Sequence, residues 1–193
     1  VSLLDNHLEL WPSKSDEDYI DALLNKEWLS KEQKIIGLNI SASKRWVTKC
    51  WPKEHIIKLC DELGLKNMRV VITGTEEDCV DAERISASLK NTKIINACGK
   101  TSVNQLAALI KRCAVYISAD SSPLHIASAV DTPVIALFGP TDPLRHMPAV
   151  KKGKLIFKEL ICRACYKTKC RHNKCMRAIT PEEVVRAIEE LLK

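Results

Sequence analysis

The chain has 193 residues, 46% of them hydrophobic and 28% charged, which is the composition of an ordinary soluble globular domain with one sizeable core. No apolar run approaches the roughly 18 residues that cross a bilayer, and no basic stretch followed by an apolar one marks a signal peptide. The chain also begins without Met, which we interpret as a sign that it is part of a longer protein.

The net charge of +6 is concentrated in the last part of the chain. Residues 151–193 contain 12 Lys and Arg against 5 Asp and Glu, whereas the preceding residues contain 18 against 19. A solvated surface is the ordinary explanation, and contact with an anionic membrane surface or an anionic acceptor is the alternative. Few aromatic residues accompany these cations, so binding to nucleic acid is disfavoured.

Short apolar runs alternate with amphipathic segments along the chain. Residues 1–34 are predicted to be an interdomain linker or lead-in, with a short helix at 16–25. From there, strands are predicted at 35–40, 68–73, 93–97, 114–117, 134–138 and 154–157, and helices lie between them, the first beginning at Pro52 and ending at Gly64. This alternation predicts an α/β fold, a doubly wound parallel sheet of the Rossmann-like kind. The domain would cover 35–193, including a Cys-rich basic tail at 158–177 and a last helix at 181–192.

A polar turn follows the strand at 114–117. Ser122 suits an N-cap and Pro123 the first helical position, so a helix is expected to begin there. Open α/β sheets bind ligands at the carboxyl ends of their strands. The free N–H groups at residues 121–124 therefore predict an anion site, most naturally for phosphate.

Other loops place polar groups at the same edge. Lys49 precedes a helix after the first strand, Glu76 and Glu77 follow the second strand, and His125 lies one turn into the helix after Ser122. Each residue alone has an ordinary structural explanation, but together they indicate one ligand site. No G-x-G-x-x-G follows the first strand and no P-loop motif occurs, which disfavours a dinucleotide oxidoreductase and a P-loop kinase.

Several motifs together resemble the heptosyltransferase family, glycosyltransferase family 9. Asp120 and the segment SSPLHIASA at 121–129, followed by Pro133 and by FGPTDP at 138–143, are similar to its main motif. Residues 49–52 (KCWP) resemble its K-x-W-P element, and residues 99–102 (GKTS) its G-K-T-S element. The Cys-rich tail ending in PEEV at 181–184 is also similar, so the resemblance spans about 35–192.

This resemblance implies the carboxyl-terminal, nucleotide-sugar-binding domain of a two-domain GT-B glycosyltransferase. The donor would be an ADP-sugar with a heptose-type sugar, and the acceptor a lipid-linked saccharide of the lipopolysaccharide core. A missing N-terminal acceptor domain would supply the catalytic carboxylate, so no catalytic residue is expected here, and this chain alone would bind nucleotide without transferring sugar. Transfer would need no cofactor. The location would be cytoplasmic, at the inner membrane face.

The resemblance also implies a role for each residue of the donor site. Lys49 would contact the diphosphate or the sugar, Glu76 or Glu77 would hold the ribose, and Thr101 and Ser102 would lie near the nucleobase. Asp120 would bind the sugar, Ser121 and Ser122 would bind the phosphate, and His125 would support that loop. Two departures stand out, since Ser122 occupies a position where the family usually has Gly, and residues 40–43 (ISAS) replace its P-G-A-S. A non-catalytic nucleotide- or glycan-binding module and a GT-B-like sugar-nucleotide epimerase are the alternatives.

Four of the nine cysteines are clustered, namely Cys162, Cys165, Cys170 and Cys175. Their spacing, with His172 among them, suits a structural zinc ion, while two disulfides or free thiols are the alternatives. The remaining cysteines are scattered, and most of them lie in apolar settings. An odd total without a secretion signal indicates a reducing compartment.

Overall fold

The computed structural model describes residues 7–26 and 33–193, so the predictions for 1–6 and 27–32 lie outside the described residues. The elements, in chain order, are α1 (Lys14–Asn25), β1 (Ile35–Asn39), a 3-10 helix (Lys44–Lys49), α2 (Lys53–Leu65), β2 (Arg69–Thr73), a second 3-10 helix (Glu76–Asp78), α3 (Cys79–Ser88), β3 (Ile95–Asn96), α4 (Val103–Lys111), β4 (Val115–Ala119), α5 (Ser122–Ala129), β5 (Val134–Phe138), α6 (Pro143–His146), β6 (Gly153–Phe157), α7 (Lys174–Arg177) and α8 (Pro181–Leu191). No helix in this part of the chain is long and apolar enough to span a bilayer.

Six parallel strands form one sheet in the order β3-β2-β1-β4-β5-β6, which confirms the predicted doubly wound α/β fold. Strands β2 and β3 lie on one side of β1, and strands β4, β5 and β6 lie on the other. Ile36 of β1 lies opposite Val115 of β4. The strand order thus reverses between β1 and β4, and ligands bind at such a switch point in open α/β sheets.

Each face of the sheet is covered by its own set of helices. On one face, α2, α3 and α8 bury aliphatic side chains such as Leu59, Ile85 and Ile188. On the other, α1, α4 and α5 bury side chains such as Ile20 and Leu109. Because both faces are covered, β4 and β5 are buried along their whole length, which explains why they are nearly continuous apolar runs.

Helix α1 is packed on the domain. Ile20 is completely buried, the Tyr19 hydroxyl donates to the Lys100 carbonyl at 2.7 Å, and Arg112 donates two hydrogen bonds to Asp21 at 3.0 and 2.8 Å. The short helix predicted within the lead-in is therefore present and belongs to the α1–α4 face. The domain boundary at residue 34 stays a prediction.

Predicted ends of α2 and α5 are wrong. Helix α2 begins at Lys53, and Pro52 is its N-cap rather than its first residue. Helix α2 does not end at Gly64 but continues to Leu65, and Asn67 adopts the left-handed conformation instead, with φ 56°. Gly64 serves close packing, since an added Cβ would lie 2.4 Å from the Cβ of Thr92. The N-cap of α5 is Ser121 rather than Ser122, which is already the first helical residue.

Candidate functional site

The loops after β1, β2, β3 and β4 surround a cavity of about 530 Å³ at the carboxyl edge of the sheet. It lies at the switch point between β1 and β4. Its walls are formed by Asn39, Ser41, Ala42, Ser43, Gly74, Thr75, Glu76, Gly99, Thr101, Ser102, Val103, Leu106, Ser121, Ser122 and Pro123. Among the residues predicted for the site, Glu76, Thr101, Ser102, Ser121 and Ser122 thus line one cavity.

The N-terminus of α5 opens into this cavity without a side-chain cap. Ser121 has an extended backbone and its side chain does not accept from the first turn of the helix. Its hydroxyl instead accepts from Asn39 Nδ2 at 3.3 Å and lies 3.1 Å from the Ser118 hydroxyl. The positive end of the helix dipole is therefore directed at the cavity, an arrangement that favours an anion.

Lys49 and Asp120 form a buried ion pair beside this helix. The Lys49 ammonium donates to Asp120 at 2.7 Å, and only 14% and 8% of the two side chains are exposed. The ammonium also lies 4.7 Å from the centre of the Trp46 ring, within range of a cation–π contact. Both residues were predicted for the site, but their pairing was not. The pair places a cation and a carboxylate next to Ser121.

Asp78 joins two of the loops and was missed by the sequence analysis. One of its carboxylate oxygens accepts from the Ser41 hydroxyl at 2.7 Å, the Thr75 N–H at 2.7 Å and the Thr75 hydroxyl at 2.8 Å. The loops after β1 and β2 are held together in this way. The T-x-x-D pattern of a capping box was the signal that could have indicated the contact to Thr75.

Asn39 was also missed, and Gly99 was quoted only within the GKTS element, without a role of its own. Asn39 ends a buried strand, is nearly buried itself, and donates through Nδ2 to the Ser41 carbonyl at 2.5 Å. Gly99 has φ +67°, and an added Cβ would lie 2.8 Å from the Cα of Glu76. A polar residue at the end of an apolar run was a readable signal for Asn39, whereas the close approach at Gly99 is visible only in three dimensions.

Four of the residues predicted for the site do not line the cavity, namely Lys49, Glu77, Asp120 and His125. The exposed Glu77 carboxylate pairs with Lys44 at 2.6 Å. The half-buried His125 ring lies on α5, and no residue in 7–26 or 33–193 forms a hydrogen bond with it. The ligand roles of all the residues predicted for the site stay predictions.

The clustered cysteines lie elsewhere, around a cavity of about 240 Å³ that Thr48 and His172 also line. All four are free thiols, so the disulfide alternative is wrong. Backbone N–H groups of Asn173 and His172 lower the pKa of the exposed Cys170 thiol, and burial raises the pKa of Cys175. Within the described ranges, no three His, Cys, Asp or Glu side chains are arranged to hold a metal ion, so the structure does not support the zinc prediction.

A doubly wound parallel sheet with a polar, anion-favouring cavity at its switch point defines a Rossmann-like α/β domain, a class that binds ligands at this edge of the sheet. A sequence model of glycosyltransferase family 9 (heptosyltransferase) matches residues 8–176, and the chain belongs to this family. The resemblance noted in the motifs is thereby confirmed.

Curated relatives agree with this membership. Lipooligosaccharide heptosyltransferase 2 of Campylobacter jejuni is 31% identical over 170 residues, which is 84% of this chain and 53% of the relative. Lipopolysaccharide heptosyltransferase 3 of Escherichia coli is 31% identical over 79% of this chain and 45% of the relative. The chain therefore spans about half the length of the relatives it matches.

Solved structures show the same relationship. A family 9 glycosyl transferase from Veillonella parvula superimposes with a TM-score of 0.86 at 26% identity, over 96% of this chain and 53% of that one. The ADP-heptose lipopolysaccharide heptosyltransferase II of E. coli gives a TM-score of 0.78 at 27% identity, over 95% of this chain and 53% of that one. The fold is thus that of one domain of a GT-B heptosyltransferase.

Proposed function

We propose that this chain is the donor-binding part of a heptosyltransferase, which transfers a heptose-type sugar from an ADP-sugar to a lipopolysaccharide core acceptor. The observation that carries the proposal is the cavity at the switch point, into which the uncapped N-terminus of α5 opens beside the Lys49–Asp120 pair. The name of the E. coli relative, an ADP-heptose heptosyltransferase, supports an ADP-sugar as donor.

Within this site the diphosphate would lie against the N-terminus of α5. Backbone N–H groups and the Ser122 hydroxyl would donate to its oxygens, and Lys49 would add a positive charge. Asp120 would accept hydrogen bonds from the sugar hydroxyls while it holds Lys49 in place. The nucleoside would occupy the part of the cavity formed by Glu76, Thr101 and Ser102, where the Glu76 carboxylate can accept from ribose hydroxyls.

The reaction would be substitution at the anomeric carbon. An acceptor hydroxyl oxygen bonds to that carbon as the bond to the diphosphate oxygen breaks, and a general base outside this domain takes the hydroxyl proton. The departing diphosphate gains negative charge, which Lys49 and the helix N-terminus would stabilise. This function places the protein in the cytoplasm at the inner membrane face, where it meets a lipid-linked acceptor, and requires no cofactor for transfer.

A thermal-shift panel with ADP, UDP, GDP and CDP tests the proposal. A nucleotide at about 100 times its Kd stabilises by about 2.7 kcal/mol, which for a chain of this size raises Tm by roughly 5–10 °C. ADP should give the largest rise. The rise should be strongly reduced in Lys49→Ala and retained in Lys111→Ala, a matched loss of a surface lysine that pairs with Glu17 on the α1–α4 face. No stabilisation by any nucleotide would contradict donor binding, and a larger rise with UDP, GDP or CDP would contradict an ADP-sugar.

A further inference from the structure

Two large aliphatic side chains project into solvent from adjoining loops beyond β5 and β6. Leu144 on α6 is 95% exposed and Ile161 is fully exposed. The two loops are joined because the Tyr166 N–H donates to the Pro140 carbonyl at 2.8 Å, and the Tyr166 hydroxyl lies 3.2 Å from His146 Nε2. A single exposed aliphatic side chain is common on protein surfaces, but two such extreme cases on joined loops are not.

An apolar cavity lies directly behind Leu144. It measures about 330 Å³, and Pro143, Leu155 and Phe157 form much of its wall together with Leu144 itself. Arg163 borders the cavity, with its guanidinium 5.7 Å from the centre of the Phe157 ring. Leu144 therefore belongs to a larger apolar surface, and Arg163, two residues after Ile161 in the chain, lies at its border.

From residue 160 onward the tail is basic and contains no acid of its own. Residues 160–181 contain no Asp or Glu, and their cations are Arg163, Lys167, Lys169, Arg171, Lys174 and Arg177. Arg163 pairs with Glu159 and Arg177 with Glu54, but the other four cations form no ion pair with any residue in 7–26 or 33–193. A concentration of unpaired cations beside exposed aliphatic side chains favours a partner that is both anionic and apolar.

We propose that this surface, made of Leu144, Ile161 and the tail at 160–177 and called here the docking edge, binds an anionic lipid bilayer. The two aliphatic side chains enter the boundary between headgroups and acyl chains, while the tail cations contact lipid phosphates. Nucleic acid suits the docking edge less well, because Tyr166 is the only Phe, Tyr or Trp in the tail and stacking platforms need several. The proposal extends the proposed function, whose acceptor is lipid-linked, but it does not depend on the donor cavity.

The test is cosedimentation of the 193-residue chain with vesicles at low and high salt. One set of vesicles contains phosphatidylcholine with anionic phosphatidylglycerol, and the other contains phosphatidylcholine alone. The chain should bind the anionic vesicles and release them at high salt. Leu144→Ser/Ile161→Ser should weaken binding by on the order of tenfold or more, and Lys167→Gln/Lys169→Gln by roughly fivefold for each cation removed.

Matched controls lie on other surfaces of the chain. Leu65→Ser/Val80→Ser removes two exposed aliphatic side chains, and Lys90→Gln/Lys93→Gln removes two cations. Neither should change vesicle binding, and Tm should confirm that every variant is folded. Absence of binding to anionic vesicles at low salt, equal binding to neutral vesicles, or equal losses in test and control variants would overturn the proposal. The ADP thermal shift is measured on the same samples, so failure of the unmodified chain to bind anionic vesicles while it still binds ADP contradicts the docking edge alone.

Discussion

The Lys49–Asp120 ion pair offers a sharp test of the donor site. Its N–O distance is 2.7 Å and the two side chains are only 14% and 8% exposed, so each charge is compensated by the other rather than by solvent. If Lys49 also contacts the diphosphate, Lys49→Ala should weaken binding of ADP much more than binding of adenosine. If Lys49 only holds the loop together, both ligands should lose affinity equally.

The magnitude follows from the contact that is lost. A hydrogen bond to a charged group contributes about 1.5–3 kcal/mol net, so Lys49→Ala should raise the Kd for ADP by roughly 10- to 150-fold. Adenosine lacks the phosphates, and its Kd should rise by less than about threefold. The folded state should also lose about 3 kcal/mol of stability, because the Asp120 carboxylate stays buried without a partner.

A second variant separates these two effects. In Lys49→Ala/Asp120→Asn the unpaired carboxylate is gone, so the free energy of unfolding should return to within about 1 kcal/mol of the wild-type value. The cation is still missing, so discrimination between ADP and adenosine should remain reduced. A double variant that regains stability but not discrimination would assign the phosphate effect to Lys49 itself.

Isothermal titration calorimetry with ADP, AMP and adenosine measures the affinities, and denaturant unfolding measures the stabilities. Lys111→Ala serves as the control for loss of a surface lysine, since it pairs only with Glu17 among the described residues. Equal loss of affinity for adenosine and ADP in Lys49→Ala would refute the reasoning and remove Lys49 from the phosphate subsite.

Three further perturbations test other contacts. Asp78→Ala removes an acceptor shared by two loops and should raise the Kd for ADP about tenfold by calorimetry, whereas an unchanged Kd would show that the loops do not need it. Gly99→Ala should cost roughly 1–2 kcal/mol in denaturant unfolding because of its positive φ, and a neutral result would contradict the strain. Cys170, whose thiol pKa is lowered by backbone donors, should react with iodoacetamide at mildly alkaline pH well before Cys60, whose pKa burial raises to about 12. Because a thiolate is the reactive form, the rate at Cys170 should fall as pH falls, and equal modification of both residues in peptide mass spectra would contradict this assignment.

The fold could be predicted because local pattern and tertiary role coincide in the sheet. The strand predicted at 134–138 is β5 as observed, since a strand buried on both faces must be apolar throughout. The strand predicted at 93–97 shortens to Ile95–Asn96 because it lies at the sheet edge and pairs with β2 alone. Helix ends were less predictable, as Gly64 shows, because a glycine can serve close packing as well as a turn.

The candidate site could be predicted only as far as its loops. Sheet topology brings every βα loop to one edge, so Glu76, Ser102 and Ser121 could be grouped without a structure. The side chain that lines the cavity could not be predicted, because Glu76 and Glu77 are adjacent residues of the same type. Only the structure shows that Glu76 lines the cavity and that Glu77 pairs with Lys44. Pairing between residues far apart in sequence, such as Lys49 with Asp120, depends on tertiary geometry.

Ser122 is a position where the prediction from sequence and the observed structure lead to different expectations for phosphate binding. The resemblance to the family predicts crowding at this position, because a hydroxymethyl group stands where the usual glycine has a hydrogen. In the structure, however, the Ser122 side chain is exposed, lines the cavity, and forms no hydrogen bond with any residue in 7–26 or 33–193. It is therefore free to donate to a phosphate oxygen, and we expect it to assist binding.

Ser122→Gly should accordingly raise the Kd for ADP by roughly tenfold, the low end of the effect of one lost hydrogen bond to a charged group, because the position is exposed. Glycine in the first turn of α5 also costs about 0.5–1 kcal/mol of stability. Ser122→Ala keeps the helix propensity and loses only the hydroxyl, so calorimetry should find it equally weakened in ADP binding. If Ser122→Gly binds ADP more tightly than the wild-type chain, crowding is the dominant effect, and the Ser122 hydroxyl does not belong to the phosphate subsite.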